Sequence, residues 1–307
     1  MKSKSTILAG ALLATGSSAL FTGKVIVAKL AYERGIDPLG MVLLRMVFAS
    51  PFFIAILLMR LRHGARAKAT DIAFAVLLGL VSYYLSSMLD FCGIQYISTA
   101  LERMILQLSP SFVVLIGVLF MGQKLDYRLL GAIAIGYCGI ALMVLSESGP
   151  EAANAASSNT LLGVTLILAA TLCFSIYVIG AERMMLRMES RFFTALAMTG
   201  ACVGVFIHYA ISRGFTPPTH DPVVGMLGLA MGLFCTVLPS FMINRAIQLI
   251  GGSNIGPYNY VGMGLTFVAS AILLDETFTL IKLSGILLAS AGALALTMGK
   301  KKETGKA

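Results

Sequence analysis

Six charged residues stand inside or at the ends of long apolar stretches: Lys24, Lys29, Arg45, Asp90, Glu102 and Arg103. Ionised groups are expensive in hydrocarbon, so each one is a candidate for binding or ion coupling. Four cations against two carboxylates leave a positive excess. That balance suits a carboxylate-bearing or zwitterionic solute, because a guanidinium grips a carboxylate through two parallel hydrogen bonds. Lys24, Arg45 and Arg103 are therefore candidate substrate contacts. Asp90 and Glu102 are candidates for proton coupling or gating, since a desolvated carboxylate is pushed toward its neutral form. Lys24 and Arg45 lie deepest. Lys29, Asp90, Glu102 and Arg103 are close enough to the stretch ends for snorkelling or a structural salt bridge to account for them equally well.

Polar groups recur at helical spacing. Ser82, Ser86 and Asp90 are four apart, as are Arg103, Gln107 and Ser111, and Thr236, Ser240 and Asn244. Such stripes line a wet path or bind helices to one another, and for Ser and Thr the second role is the default. Gln107 joins the candidate substrate contacts, with Tyr83, Tyr258 and Asn259. A tyrosine presents an apolar face and one hydrogen-bonding tip. Core packing accounts for Tyr83 equally well. Tyr258-Asn259-Tyr260 follows Pro257, which frees backbone carbonyls from a helix ladder.

Other chemistry has little to stand on. The five cysteines fall singly in apolar segments, and His63, His208 and His220 are far apart. No metal-ligand spacing, His-Glu-x-x-His, Gly-x-Ser-x-Gly or Walker pattern occurs. No catalytic residue, metal or cofactor is therefore assigned, and the chain reads as a non-enzyme. An intramembrane enzyme would need a clustered catalytic set.

The elements that must position these residues are membrane helices. Hydrophobic residues make up 58% of the 307, charged residues only 12%, and mean hydropathy is +0.89. A soluble domain carries about 25% charged residues, because its surface meets water. A span needs about 20 apolar residues. Ten candidates fit, at 6–29, 39–59, 71–93, 98–120, 128–146, 160–181, 192–212, 223–244, 253–274 and 279–299. The apolar run after Lys2 and Lys4 reads as the first span rather than a cleaved signal. With the N-terminus inside, sixteen of the 23 basic residues fall on the cytoplasmic side and three outside. The net charge of +9 thus reports topology, not nucleic-acid binding, and both termini are expected in the cytoplasm.

A shift of 153 residues brings the two halves into register without gaps. Gly10 meets Gly163, Gly79-Leu80 meets Gly232-Leu233, and Gly93-Ile94-Gln95-Tyr96-Ile97 meets Ala246-Ile247-Gln248-Leu249-Ile250. Five spans per half is an odd number, so the second half must be inserted upside down. The expected fold is an all-α integral membrane protein of ten transmembrane helices in two inverted five-helix repeats. Residues 1–147 form the first, 148–159 a linker, and 160–307 the second with a basic tail. The repeat counterparts of the six charged residues are Tyr177, Glu182, Met198, Ile243, Ile255 and Gly256. Of these only Glu182, near a helix end, is charged, and charge so largely confined to one half points to function rather than scaffold.

At this point the chain resembles the EamA family of the drug/metabolite transporter superfamily. The likeness lies in Ser109-Pro110, Phe120-Met121-Gly122-Gln123-Lys124-Leu125, Gly131 and Gly139 in the first half. The second half has Leu273-Leu274-Asp275-Glu276-Thr277-Phe278, Gly285 and Gly292. The stretch from Gly23 through Lys29 to Pro38 and Arg45 resembles the family's first two helices. Gln123 departs from the family's usual Glu, Glu276 keeps it, and Met263 stands opposite Pro110. The resemblance implies two five-helix repeats and export of amino acids or similar metabolites, and it makes Glu276 a gating candidate. The leading expectation is a secondary exporter in the cytoplasmic membrane, working by alternating access. The alternative is an uptake carrier or facilitator for a small organic anion or metabolite. Proton coupling, and assembly as a monomer or homodimer, stay open.

Overall fold

The computed structural model describes residues 4–121, 127–147 and 156–252, together with Ile255, Tyr258 and short stretches between 264 and 291. Up to Ile250 it forms helical rods joined by short turns. They are α1 (Lys4–Tyr32), α2 (Pro38–Arg62), α3 (Ala69–Gly93), α4 (Thr99–Phe120), α5 (Tyr127–Glu147), α6 (Ala156–Met184), α7 (Ser190–Arg213) and α8 (Pro222–Ile250). All but α5 are long and apolar enough to cross a membrane, and among the described residues of α5 a shorter apolar run, Ile133–Leu142, is present. Large apolar side chains such as Leu12, Leu119, Val203 and Met226 stay exposed on the rods. Bare apolar surface with no polar cover is what a lipid-facing wall requires. The chain is a multi-pass α-helical membrane protein.

The first eight expected spans each fall on one rod, with ends shifted by up to six residues. Backbone hydrogen bonding continues past the hydrocarbon edge, so the helix outlasts its apolar run. The ninth and tenth expected spans, and most of the linker, lie largely outside the described residues.

Local chemistry sets the ends and breaks. Pro38 and Pro222 open α2 and α8, where a missing N–H costs nothing. Ser98 caps α4 by accepting the Leu101 N–H at 3.1 Å. Pro110 lacks the N–H that would bond the Leu106 carbonyl and its ring crowds that carbonyl, and the first part of α4 ends at Leu106. Gln107 and Leu108 make the turn before helix resumes at Ser109.

The rods pack across the two halves: α1 on α8, α2 on α7 and α8, and α3 on α6 and α7. Glycines permit the closest approaches. A Cβ on Gly79 of α3 would overlap the Ala197 carbonyl of α7. A Cβ on Gly232 of α8 would come within 3.0 Å of the Arg45 carbonyl of α2. Directly after each glycine the helix widens into a π segment, Leu80–Ser86 in α3 and Leu233–Val237 in α8.

Candidate functional site

A cavity of about 140 Å³ opens between α1, α2, α3, α4 and α6. Its wall carries Lys24 from α1, Arg45 from α2, Tyr83 and Asp90 from α3, and Arg103 and Gln107 from α4. Five charged groups separated by up to 79 positions thus converge, the fifth being Glu102 just behind the wall. Lys29 and Tyr258 do not line this cavity. Lys29 is half-buried on α1 away from the lining. Tyr258 packs against the main apolar core. Asn259 and Glu276 lie outside the described residues.

The charges form a chain. The Lys24 ammonium pairs with Asp90 Oδ2 and lies 3.5 Å from Glu102 Oε1. Glu102 Oε2 in turn lies 3.2 Å from Arg103 Nε. Arg103 also donates to the Phe21 carbonyl at 2.6 Å, which ties α4 to α1. Asp90 is 3% exposed and Glu102 fully buried, so both depend on these cations for compensation.

Arg45 is held differently. It is 3% exposed, and among the described residues it makes no ion pair. Its Nη2 donates to the Tyr83 carbonyl at 3.2 Å, inside the π segment of α3. Its guanidinium carbon stands 5.2 Å from the centre of the Phe91 ring, and Lys24 Nζ stands 5.9 Å from the same ring. An aromatic ring offers a cation partial compensation without neutralising it. Arg45 Nε, the Gln107 side-chain N–H2 and Asp90 Oδ1 are buried without hydrogen-bond partners among the described residues. Two donors and one carboxylate oxygen are therefore unspent around one cavity.

A second polar network runs from the cavity wall into the other half of the chain. The Tyr83 and Tyr177 hydroxyls are 3.3 Å apart with their rings edge to face. Tyr177 donates to Asn244 Oδ1 at 2.7 Å, and Asn244 Nδ2 donates to Thr194 Oγ1 at 3.0 Å. Asn244 thereby holds α6, α7 and α8 together, whereas Thr236 of the same stripe bonds to Met231 within its own helix. Ser82 and Ser86 of the α3 stripe face the cavity.

Reading residue types alone misses Phe21, Leu106 and Phe174 in the cavity wall and Phe91 beneath the cations. Nothing in their spacing separates them from lipid-facing apolar side chains. Tyr177 carries a usable signal, because it is the repeat counterpart of Lys24.

A membrane-crossing helical bundle around a buried, charged cavity is a frame for moving small solutes. The chain belongs to the EamA-like transporter family, whose model matches residues 8–145 and again residues 161–298. It is 25% identical over 284 residues to the transporter YcbK of Bacillus subtilis, covering 90% of this chain and 89% of that one. It is 29% identical over 202 residues to a protein of Chlamydia trachomatis named as an S-adenosylmethionine/S-adenosylhomocysteine transporter, covering 62% of this chain and 61% of that one. A solved crystal structure shares the fold with a TM-score of 0.67 at 13% identity, over 95% of this chain and 98% of that one.

Proposed function

We propose that the chain is a secondary transporter that exports amino acids or related carboxylate-bearing metabolites across the cytoplasmic membrane by alternating access. The observation that carries this reading is Arg45, a buried guanidinium with no carboxylate partner among the described residues, on the wall of a cavity. A solute carboxylate is the natural complement of Arg45 and Gln107, with Lys24 and Arg103 adding positive field. Asp90 Oδ1 suits the ammonium end of a zwitterion. Tyr83 supplies a flat wall, and Tyr258 and Asn259 are assigned to the inner part of the path. Asp90 and Glu102 serve coupling, a proton being the simplest ion, and Glu276 serves gating. The Chlamydia relative is named for two solutes that both carry an amino-acid end, which agrees with this chemistry.

Two inverted repeats, residues 1–147 and 160–307, account for the architecture. Both family matches begin and end 153 residues apart. Contacts recur at the same offset: Gly10 packs on Leu249 and Ile250, and Gly163 packs on Tyr96 and Ile97. The distribution of basic residues supports both termini in the cytoplasm.

Counterflow in proteoliposomes tests the function. Vesicles preloaded with amino acids, small organic acids, sugars or amines are offered the same labelled solute outside. The expected result is exchange of a carboxylate-bearing solute. Exchange confined to solutes without a carboxylate contradicts the assignment.

A further inference from the structure

Four ion pairs join the first half of the chain to the second, two at each end of the bundle. Where α1 turns into α2, Arg34 meets Asp221 at 3.2 Å and Asp37 meets Arg213 at 3.1 Å. At the opposite end, Arg60 meets Glu189 at 2.8 Å and Asp71 meets Arg187 at 2.9 Å. The arginines of the four pairs recur at the repeat offset, and their acids stand close to it, Asp37 and Glu189 152 residues apart and Asp71 and Asp221 150 apart. Arg34 and Arg187 are 153 residues apart and each follows the first helix of its half; Arg60 and Arg213 are 153 apart and each ends the second. The acids sit at helix starts. Asp37 and Glu189 precede α2 and α7, Asp221 precedes α8, and Asp71 lies in the first turn of α3. A carboxylate there also meets the positive end of the helix.

Contrast with the cavity cluster assigns these pairs a different role. Lys24, Asp90 and Glu102 are buried and join helices within the first half. The four end pairs reach water, with one side chain in each pair at least 47% exposed. An exposed pair contributes about 0–1 kcal/mol, so breaking one costs little. Placement across the two halves, at both ends and in duplicate, is what a reversible closure needs.

We propose that these pairs are two alternating latches. Asp37–Arg213 with Arg34–Asp221 closes one face, Arg60–Glu189 with Asp71–Arg187 closes the other, and each set parts while the other holds. The proposal rests on the alternating-access reading above. It explains why α2 and α7, which lie antiparallel in contact, are pinned at both ends. Opening either face then requires the release of one end of that helix pair.

The test needs no known substrate. Ser87, on the cavity wall, is replaced by cysteine in a full-length chain whose five native cysteines are substituted. An impermeant maleimide is applied to either side of sealed vesicles, with a loop cysteine reporting orientation. Arg60→Ala with Arg187→Ala is expected to raise labelling from the Arg60 face by about two- to fivefold and to lower it from the other. Arg34→Ala with Arg213→Ala is expected to do the reverse. Exchanging charges, Asp37→Arg with Arg213→Asp, is expected to restore the parent ratio in protein that elutes as a single species. Labelling that shifts alike on both faces, or a swap that restores nothing, overturns the latches. So does labelling that reaches the introduced cavity thiol from both faces in the parent without response to any variant, though alternating access then survives. Labelling from one face only, in the parent and every variant, overturns both.

Discussion

Lys24 on α1 stands between Asp90 on α3 and Glu102 on α4 and forms ion pairs with both. One ammonium therefore holds two buried carboxylates, and three helices depend on it. Removing one partner of a buried pair strands the other charge. Lys24→Met is expected to cost about 3–5 kcal/mol. Thermal unfolding in detergent should show a much lower transition. Adding Asp90→Asn, which removes the stranded charge while Glu102 keeps Arg103, should recover part of the loss. A transition unchanged by Lys24→Met contradicts the arrangement.

Tyr177 is the pivot of the second network. Its hydroxyl gives Asn244 Oδ1 its donor at 2.7 Å. Tyr177→Phe leaves that buried oxygen unsatisfied and is expected to cost about 1–3 kcal/mol. Tyr83→Phe removes the longer 3.3 Å contact with Tyr177, leaves the Tyr177–Asn244 bond in place and should cost less. The ranking of the two transitions checks the network, and the reverse order argues against it.

Close helix approach sets a third expectation. Gly79→Ala places a methyl against the Ala197 backbone, which cannot swing aside as a side chain can. The cost expected is about 1–3 kcal/mol. Gly225→Ala, where nothing lies within 4 Å, serves as the matched control and should be near neutral. Equal stability of the two variants would place α3 and α7 farther apart than described.

Legibility from sequence follows the physics of each feature. Membrane helices are readable because apolar length is a local property, and the 153-residue shift singles out Gly79 and Gly232, which the fold then uses for its close contacts. The apolar setting of Lys24 and Arg45 is readable too. Their meeting in one cavity is not, since side-chain direction depends on how rods rotate against one another. The π segment Leu80–Ser86 changes that rotation midway along α3. Gln107 reaches the wall at the turn enforced by Pro110, a break that apolar periodicity does not register.

Asp221 accepts the Val223 N–H and pairs with Arg34, and these hold its carboxyl below the usual range, the capping N–H first. A depressed folded value contributes stability above the ordinary carboxyl pKa of about 4 and loses it as pH falls through the lowered value. Labelling of a cysteine beneath the Arg34 face should therefore rise only in acid below that range. Asp221→Ala should give the acid level at neutral pH. A rise centred near pH 7 would implicate another group.

The most direct test of the central claim is counterflow of a carboxylate-bearing solute by Arg45→Ala, Arg45→Lys and the control Met198→Leu at the repeat counterpart. Arg45→Ala is predicted to lose exchange by at least about tenfold, since a charge-assisted bidentate contact contributes on the order of 1.5–3 kcal/mol. Arg45→Lys should retain part, because it keeps charge without the planar fork, and Met198→Leu should exchange normally. Full exchange by correctly inserted Arg45→Ala would contradict the assignment of this cavity as the solute site.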